Sequence, residues 1–321
     1  GGGTFSLGAG DDSFVIHDGT QVLGTVDGGA GLDTGIYDID LTADIGALTG
    51  FEGLTKTGTG TLNINGPDVS DIVEVQVLEG TLDVGAAGAI AGVADTTVAA
   101  GATLNVDGSY AGSTGNDAFT VAGSVDGAGS IDLGDGDDVL TLQDGAVLGA
   151  AVAGGAGSGD EVVLDNAADL AFDGTSALGF EQLTKQNTGT ATLTGTHAYD
   201  TTSLDGGTLA VAGTLATDSV ALADGTTLDI DGTVQGAGGT QTASTGSAGA
   251  NTIVVAAGGS LLATGDLGDG NDVFDLAGAL DTGTGTFSLG AGDDTFVVHN
   301  TTSVTGTLDA GAGNDMLDVT V

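Results

Sequence analysis

The sequence predicts an all-β fold, a parallel β-solenoid with coils of about 20–22 residues. Three observations carry this. An acidic turn motif, LGxG(D/N)Dx(F/L), occurs four times, at 7–14, 133–140, 267–274 and 289–296. Its aspartates and those of looser copies keep one step along the chain: Asp12 to Asp33 is 21, Asp117 to Asp138 is 21 and Asp138 to Asp160 is 22. Asp272 to Asp294 is 22 and Asp294 to Asp315 is 21. Second, the segments TLNI (61–64), TLDV (81–84) and TLNV (103–106) set Leu62, Leu82 and Leu104 at steps of 20 and 22, matching the aspartate ladder. Third, 63 glycines accompany a chain that is 40% apolar, enough to bury a core of Val, Leu, Ile and Ala rather than to stay disordered.

Taken in order, the acidic coils fall near 5–36, 112–163 and 265–318, and strand repeats fall near 50–106 and 179–232. Within TLNI, TLDV and TLNV, apolar and polar residues alternate, so Leu62, Ile64, Leu82, Val84, Leu104 and Val106 are expected to point inward. Later counterparts are 208–211 and 227–230. Glycines bound nearly every such strand, as tight corners require, and no helical periodicity is sustained. Stretch 235–251 is the least patterned and is expected to be a loose loop. Longer repeats overlie the coils: Gly3–His17 returns as Gly285–His299, offset by 282, and Gly50–Ile64 returns as Gly179–Leu193, offset by 129. The whole of 1–321 is expected to be one elongated solenoid, cut from a longer array. About 15 coils at ~4.8 Å each would make a rod roughly 70 Å long.

Charge bounds the function. There are 45 acidic residues against two lysines and no arginine, a net charge of −43. Nothing here can neutralise phosphates, so a nucleic-acid partner is excluded and an anionic membrane surface disfavoured. Only five of the acids are glutamate (Glu52, Glu74, Glu79, Glu161 and Glu181). Such an excess of aspartate suits turns and hard cations. The absence of cysteine argues against a disulfide-stapled domain and suits export in an unfolded state. No apolar run is long enough to span a bilayer in this segment, and no stretch of it reads as a signal peptide.

Residues 54–84, LTKTGTGTLNINGPDVSDIVEVQVLEGTLDV, resemble the strand repeat of autotransporter passenger regions, with a looser copy at 183–211. That resemblance implies a right-handed parallel β-helix displayed on a Gram-negative cell surface; the family's membrane barrel is not within these residues. The acidic motifs resemble the RTX nonapeptide GGxGxDxUx. Gly8, Gly10, Asp12 and Phe14 fill its G, G, D and apolar places, as do Gly134, Gly136, Asp138 and Leu140. Gly268, Gly270, Asp272 and Phe274 also fit, as do Gly290, Gly292, Asp294 and Phe296. RTX arrays carry two such loops per coil and this chain one, and the Asp33 copy has Gly35 in the apolar place. The resemblance implies Ca2+ binding.

The residues themselves leave two readings of the acids. Aspartates stacked ~5 Å apart repel by about 0.8 kcal/mol even in bulk water, which a calcium ion between coils would turn into ligation. Alternatively they are solvated turn residues. The candidate ligands are Asp11, Asp12, Asp33, Asp117, Asp137, Asp138, Asp160, Asp272, Asp293, Asp294 and Asp315. His17, His197 and His299 lack zinc spacing and are expected at exposed edges, and Lys56 and Lys185 are expected at the surface, paired with Glu52 and Glu181. The leading expectation is a structural or adhesive protein, secreted or displayed on the bacterial surface, that supports adhesion, matrix (biofilm) or filament formation. Its partners would be further copies of the repeat along a longer chain, surface glycans, matrix or neighbouring rods. A polysaccharide-acting enzyme is the alternative, opposed by the absence of arginine and tryptophan. A calcium-dependent ice-binding solenoid is a third class, opposed by outward residues that vary among Ala, Asp, Asn and Thr.

Overall fold

Period-two alternation builds the coils. In the strands Thr61–Ile64, Thr81–Val84 and Thr103–Val106, the second and fourth side chains are fully buried and the other two are partly exposed. Parallel pairing sets Leu82 between Leu62 and Leu104, so the expected inward column forms. It extends to Ala43 on one side and to Val125 and Leu148 on the other. The computed structural model describes residues 3–19, 24–44, 47–65, 72–300 and 302–320. It is an all-β parallel solenoid of about 14 turns, 60% strand. The one helical element among the described residues is a 3₁₀ turn, Ala237–Gly239.

The chain divides into two compact units, Gly1–Asp160 with Ser176–Gly179, and Glu161–Thr175 with Phe180–Val321. In the first unit a full coil carries three strands, as in Asp95–Val98, Thr103–Val106 and Ser109–Gly112. Each strand stacks on its equivalent in the next coil. In the second unit Leu209 and Leu228 stack in one column, flanked by Ala191 and continued by Ile253, Phe274 and Phe296. Coil length is more variable than the motif steps suggested. Among the described pairs the step between paired positions is shortest from Thr190 to Thr208 and from Thr201 to Ser219 and longest from Thr233 to Ser260, because strands hold register while corners absorb insertions.

The longest coil corrects one expectation. Stretch 235–251 is not a loose loop: Thr242–Thr245 is a strand paired on both sides, with Thr242 and Ser244 buried. Inward positions filled by Thr and Ser disguise the alternation.

The lysines correct another. Neither lies at the surface; both are fully buried. Lys56 Nζ donates to the carbonyls of Ile39 (3.2 Å), Thr57 (2.6 Å), Gly58 (2.7 Å) and Glu79 (3.3 Å). Lys185, at the equivalent repeat position, donates to the carbonyls of Gln186, Asn187 and Gly206. Burial lowers the Lys56 pKa, opposed by the charges of Asp40, Asp38, Glu79 and Asp18. Glu52 is used elsewhere, accepting the Asp33 N–H at Oε2 (2.8 Å).

His197 is likewise buried rather than at an edge. Its Nε2 is 2.9 Å from the Thr194 carbonyl and its ring lies 5.0 Å from Phe172, and burial lowers its pKa. His17 is exposed beside Asp38, and His299 bridges Asp275 and Thr320.

Candidate metal-binding ladder

Each acidic motif is a corner leading into a strand, and the strand's phase decides where its aspartates go. Asp12 shares a phase with Phe14 and Ile16, Asp138 with Leu140 and Leu142, and Asp294 with Phe296. These aspartates turn in, while their neighbours Asp11, Asp137 and Asp293 turn out to solvent. The adjacent pairs are therefore split between an inner and an outer row.

Glycine sets the corner. At Gly290 φ is +105°, and a Cβ there would stand 1.9 Å from the Gly268 carbonyl oxygen of the preceding coil. No side chain fits so close an approach.

The inner row is buried, unlike the alternative reading of solvated turn residues: Asp33, Asp117, Asp138, Asp160, Asp272 and Asp294 are at most 4% exposed. In six places an inner Oδ1 accepts the backbone N–H of the inner residue one coil earlier. Asp12 N–H reaches Asp33 (2.7 Å), Asp117 reaches Asp138 (2.8 Å) and Asp138 reaches Asp160 (2.8 Å). In the second unit Asn251 N–H reaches Asp272 (2.7 Å), Asp272 reaches Asp294 (2.7 Å) and Asp294 reaches Asp315 (3.1 Å). The outer row bonds in the opposite sense. Asp11 Oδ1 accepts the Leu32 N–H one coil later (3.0 Å), Asn116 that of Asp137 (3.0 Å), Asn271 that of Asp293 (2.9 Å) and Asp293 that of Asn314 (2.9 Å). Successive corners are thus stitched twice.

Glu52 and Asn251 in the inner row, and Asn116, Asn271 and Asn314 in the outer row, are members that the aspartate spacing alone does not single out. Their signal was position: Glu52 follows Asp33, and Asn251 precedes Asp272, by close to one coil.

Five inner carboxylates have an oxygen left over, whereas both oxygens of Asp117 accept from Ser113, its N–H and its hydroxyl. Oδ2 of Asp12, Asp33, Asp138, Asp272 and Asp294 is buried with no hydrogen-bond partner. Burial, ahead of the charges of neighbouring aspartates, pushes the pKa of Asp138 and of Asp272 up to about 6, and raises those of Asp117 and Asp294. Asp293 in the outer row moves the other way, lowered by the Asn314 N–H.

Among the described residues no three acidic, histidine or cysteine side chains converge as a metal cluster. A cation at the inner row would meet single carboxylate oxygens, and backbone carbonyls would have to supply most of its shell. The leftover Oδ2 atoms fit that role; the outer carboxylates, already bonded to the next coil, fit it less well. The chain matches no known protein family, no curated protein and no solved structure.

Proposed function

We propose that this is a structural repeat protein, not an enzyme, whose acidic coils are closed by calcium. The observation that carries the reading is the row of buried, unpartnered Oδ2 atoms on consecutive coils. A buried polar atom without a partner costs free energy, and a buried carboxylate costs more. A divalent cation bound by Oδ2 and corner carbonyls would remove that cost, and Oδ1 would keep its bond to the neighbouring coil. The likeness to RTX loops and autotransporter repeats supports export and display on a bacterial surface, with glycans, matrix or neighbouring copies as partners. Calorimetric titration of calcium into metal-free protein tests the metal. Saturable heat that falls in Asp138→Asn and Asp272→Asn supports it, and no heat at millimolar calcium overturns it.

A second reading has one observation in its favour. On one face of the first unit, Thr42, Thr61, Thr81, Thr103 and Ser124 stand in register, beside a second file of Asp44, Asn63, Asp83, Asn105 and Asp126. This face is more regular than the sequence suggested. Two files at inter-strand spacing suit an ordered lattice such as ice, and thermal hysteresis tests that reading.

A further inference from the structure

Two kinds of corner meet the inner row, and the residue four places before the inner position separates them. Before Asp12, Asp33, Asp138, Asp272 and Asp294 it is Gly8, Gly29, Gly134, Gly268 and Gly290, each at a φ between +94° and +110°. These are the five carboxylates with an oxygen left over. Before Asp117 and Asn251 it is Ser113 and Ser247, and neither has a positive φ.

The difference decides where one N–H goes. At positive φ the glycine N–H turns to the outside. That of Gly134 reaches Oδ1 of the exposed Asp132 (3.2 Å), and that of Gly268 reaches Oδ1 of the exposed Asp266 (2.9 Å). The serine N–H turns to the inner side chain instead. Ser113 donates its N–H to Asp117 Oδ2 and its hydroxyl to Oδ1, both at 2.5 Å. Ser247 donates its N–H to Asn251 Oδ1 (3.1 Å), and its hydroxyl lies 3.4 Å from the same oxygen. Asp117 and Asn251 are as buried as the members of the glycine corners, yet the protein already satisfies their oxygens.

Stacking explains which corner is which. A Cβ on Gly134 would stand 2.2 Å from the Ser113 carbonyl oxygen, and one on Gly268 would stand 2.3 Å from that of Ser247. A corner seated on another corner must therefore carry glycine. Each serine corner instead follows a coil, at 91–95 or 221–226, that has no Gly-x-Gly-x-Asp turn. There a side chain fits.

We propose that this residue selects the corners that take calcium: glycine leaves the inner carboxylate open to the metal, and Ser113 and Ser247 close their corners against it. The proposal rests on the calcium reading above and adds the residue that assigns the sites. Donor hydrogens carry positive charge, and at Asp117 two of them point at the oxygens that a cation would need. Binding there would first break two charge-assisted hydrogen bonds. At Asp138, Asp272 and Asp294 the Oδ2 lone pairs are not engaged.

Counting bound calcium by native mass spectrometry of the full chain tests the selection. Asp117→Asn is expected to leave the wild-type count unchanged, whereas Asp138→Asn lowers it by at least one. Ser113→Gly frees both Asp117 oxygens and is expected to raise the count by one. Asn251→Asp alone, still closed by Ser247, is expected to add nothing, and Asn251→Asp combined with Ser247→Gly is expected to add one. A gain that needs glycine and carboxylate together is a readout that added negative charge would not give. A wild type that binds no calcium would overturn the calcium reading and this selection with it. A wild type that binds calcium but loses an ion in Asp117→Asn, or gains none in Ser113→Gly and in the 247/251 pair, would overturn the selection alone. Circular dichroism in calcium checks the fold of each variant, and the Asp117→Asn arm decides without any new glycine.

Discussion

Replacing Asp138 by asparagine separates the two roles of the inner carboxylates. Asp138 is fully buried, accepts the Asp117 N–H at Oδ1, and has an unpartnered Oδ2. Its pKa of about 6, against 3.8, arises mainly from burial, then from the charges of Asp117, Asp160 and Asp132. A folded-state pKa above the unfolded one means that the group's contribution to stability is full below about pH 4 and is lost as pH rises through about 6. The shift corresponds to at most ~3 kcal/mol, and the cost of ionising this buried carboxyl is expected at ~1–3 kcal/mol. Asn251 shows that an amide fits this register: its Nδ2 donates to the Ala223 carbonyl (2.7 Å) and its Oδ1 accepts the Ser247 N–H (3.1 Å). In chelator at pH 8, Asp138→Asn is therefore expected to be ~1–3 kcal/mol more stable than wild type, and at pH 4 the difference should vanish. Calcium at a thousand times its dissociation constant adds about 4.1 kcal/mol to a protein that binds it, so the order should reverse when the metal is restored. Urea unfolding, with amide exchange across the 130–165 segment to localise the change, reads both effects. A variant less stable than wild type in chelator at pH 8 would refute the reasoning, because it would show that the ionised carboxylate is already satisfied without a cation.

Two further substitutions test the core and the buried cations. Leu82→Ala removes the middle of the column formed with Leu62 and Leu104 and is expected to cost ~2–5 kcal/mol, read by urea unfolding. Lys56→Met leaves the carbonyls of Ile39, Thr57, Gly58 and Glu79 without their shared donor and is expected to destabilise by ~1–3 kcal/mol or more, whereas exchange of a surface lysine would change little.

The strand columns were legible because period-two alternation is strong wherever Leu, Ile and Val hold the inward places. The same rule, applied without regard to residue class, would have placed the polar residues too. Leu54 and Lys56 share a phase, as do Leu183 and Lys185, and all four are buried. Their positive charge pointed to the surface, but a ring of turn carbonyls offered the ammonium enough acceptors to come inside. Asp12 in phase with Phe14 carried the same message for the inner row. The step between aspartates fixed which residues stack, whereas exposure depended on corner geometry that residue spacing does not encode. Glu52 and Asn251 were not legible in the aspartate spacing, because the ladder requires only a side-chain oxygen at that register. Thr242–Thr245 escaped because its inward residues are Thr and Ser.

The most direct test of a solenoid held by apolar columns and closed at its acidic corners by calcium is amide exchange of the first unit with and without chelator. Residues 74–106 carry a regular apolar ladder and no Gly-x-Gly-x-Asp corner, so burial at ~25 cal/mol per Å² should hold them in either condition. Residues 112–163 add the buried row Asp117, Asp138 and Asp160, and should lose protection when calcium is removed. Protection that falls only in 112–163, and returns with calcium but not with monovalent salt alone, is the expected result. Equal loss across both segments, or no change in either, would contradict the account.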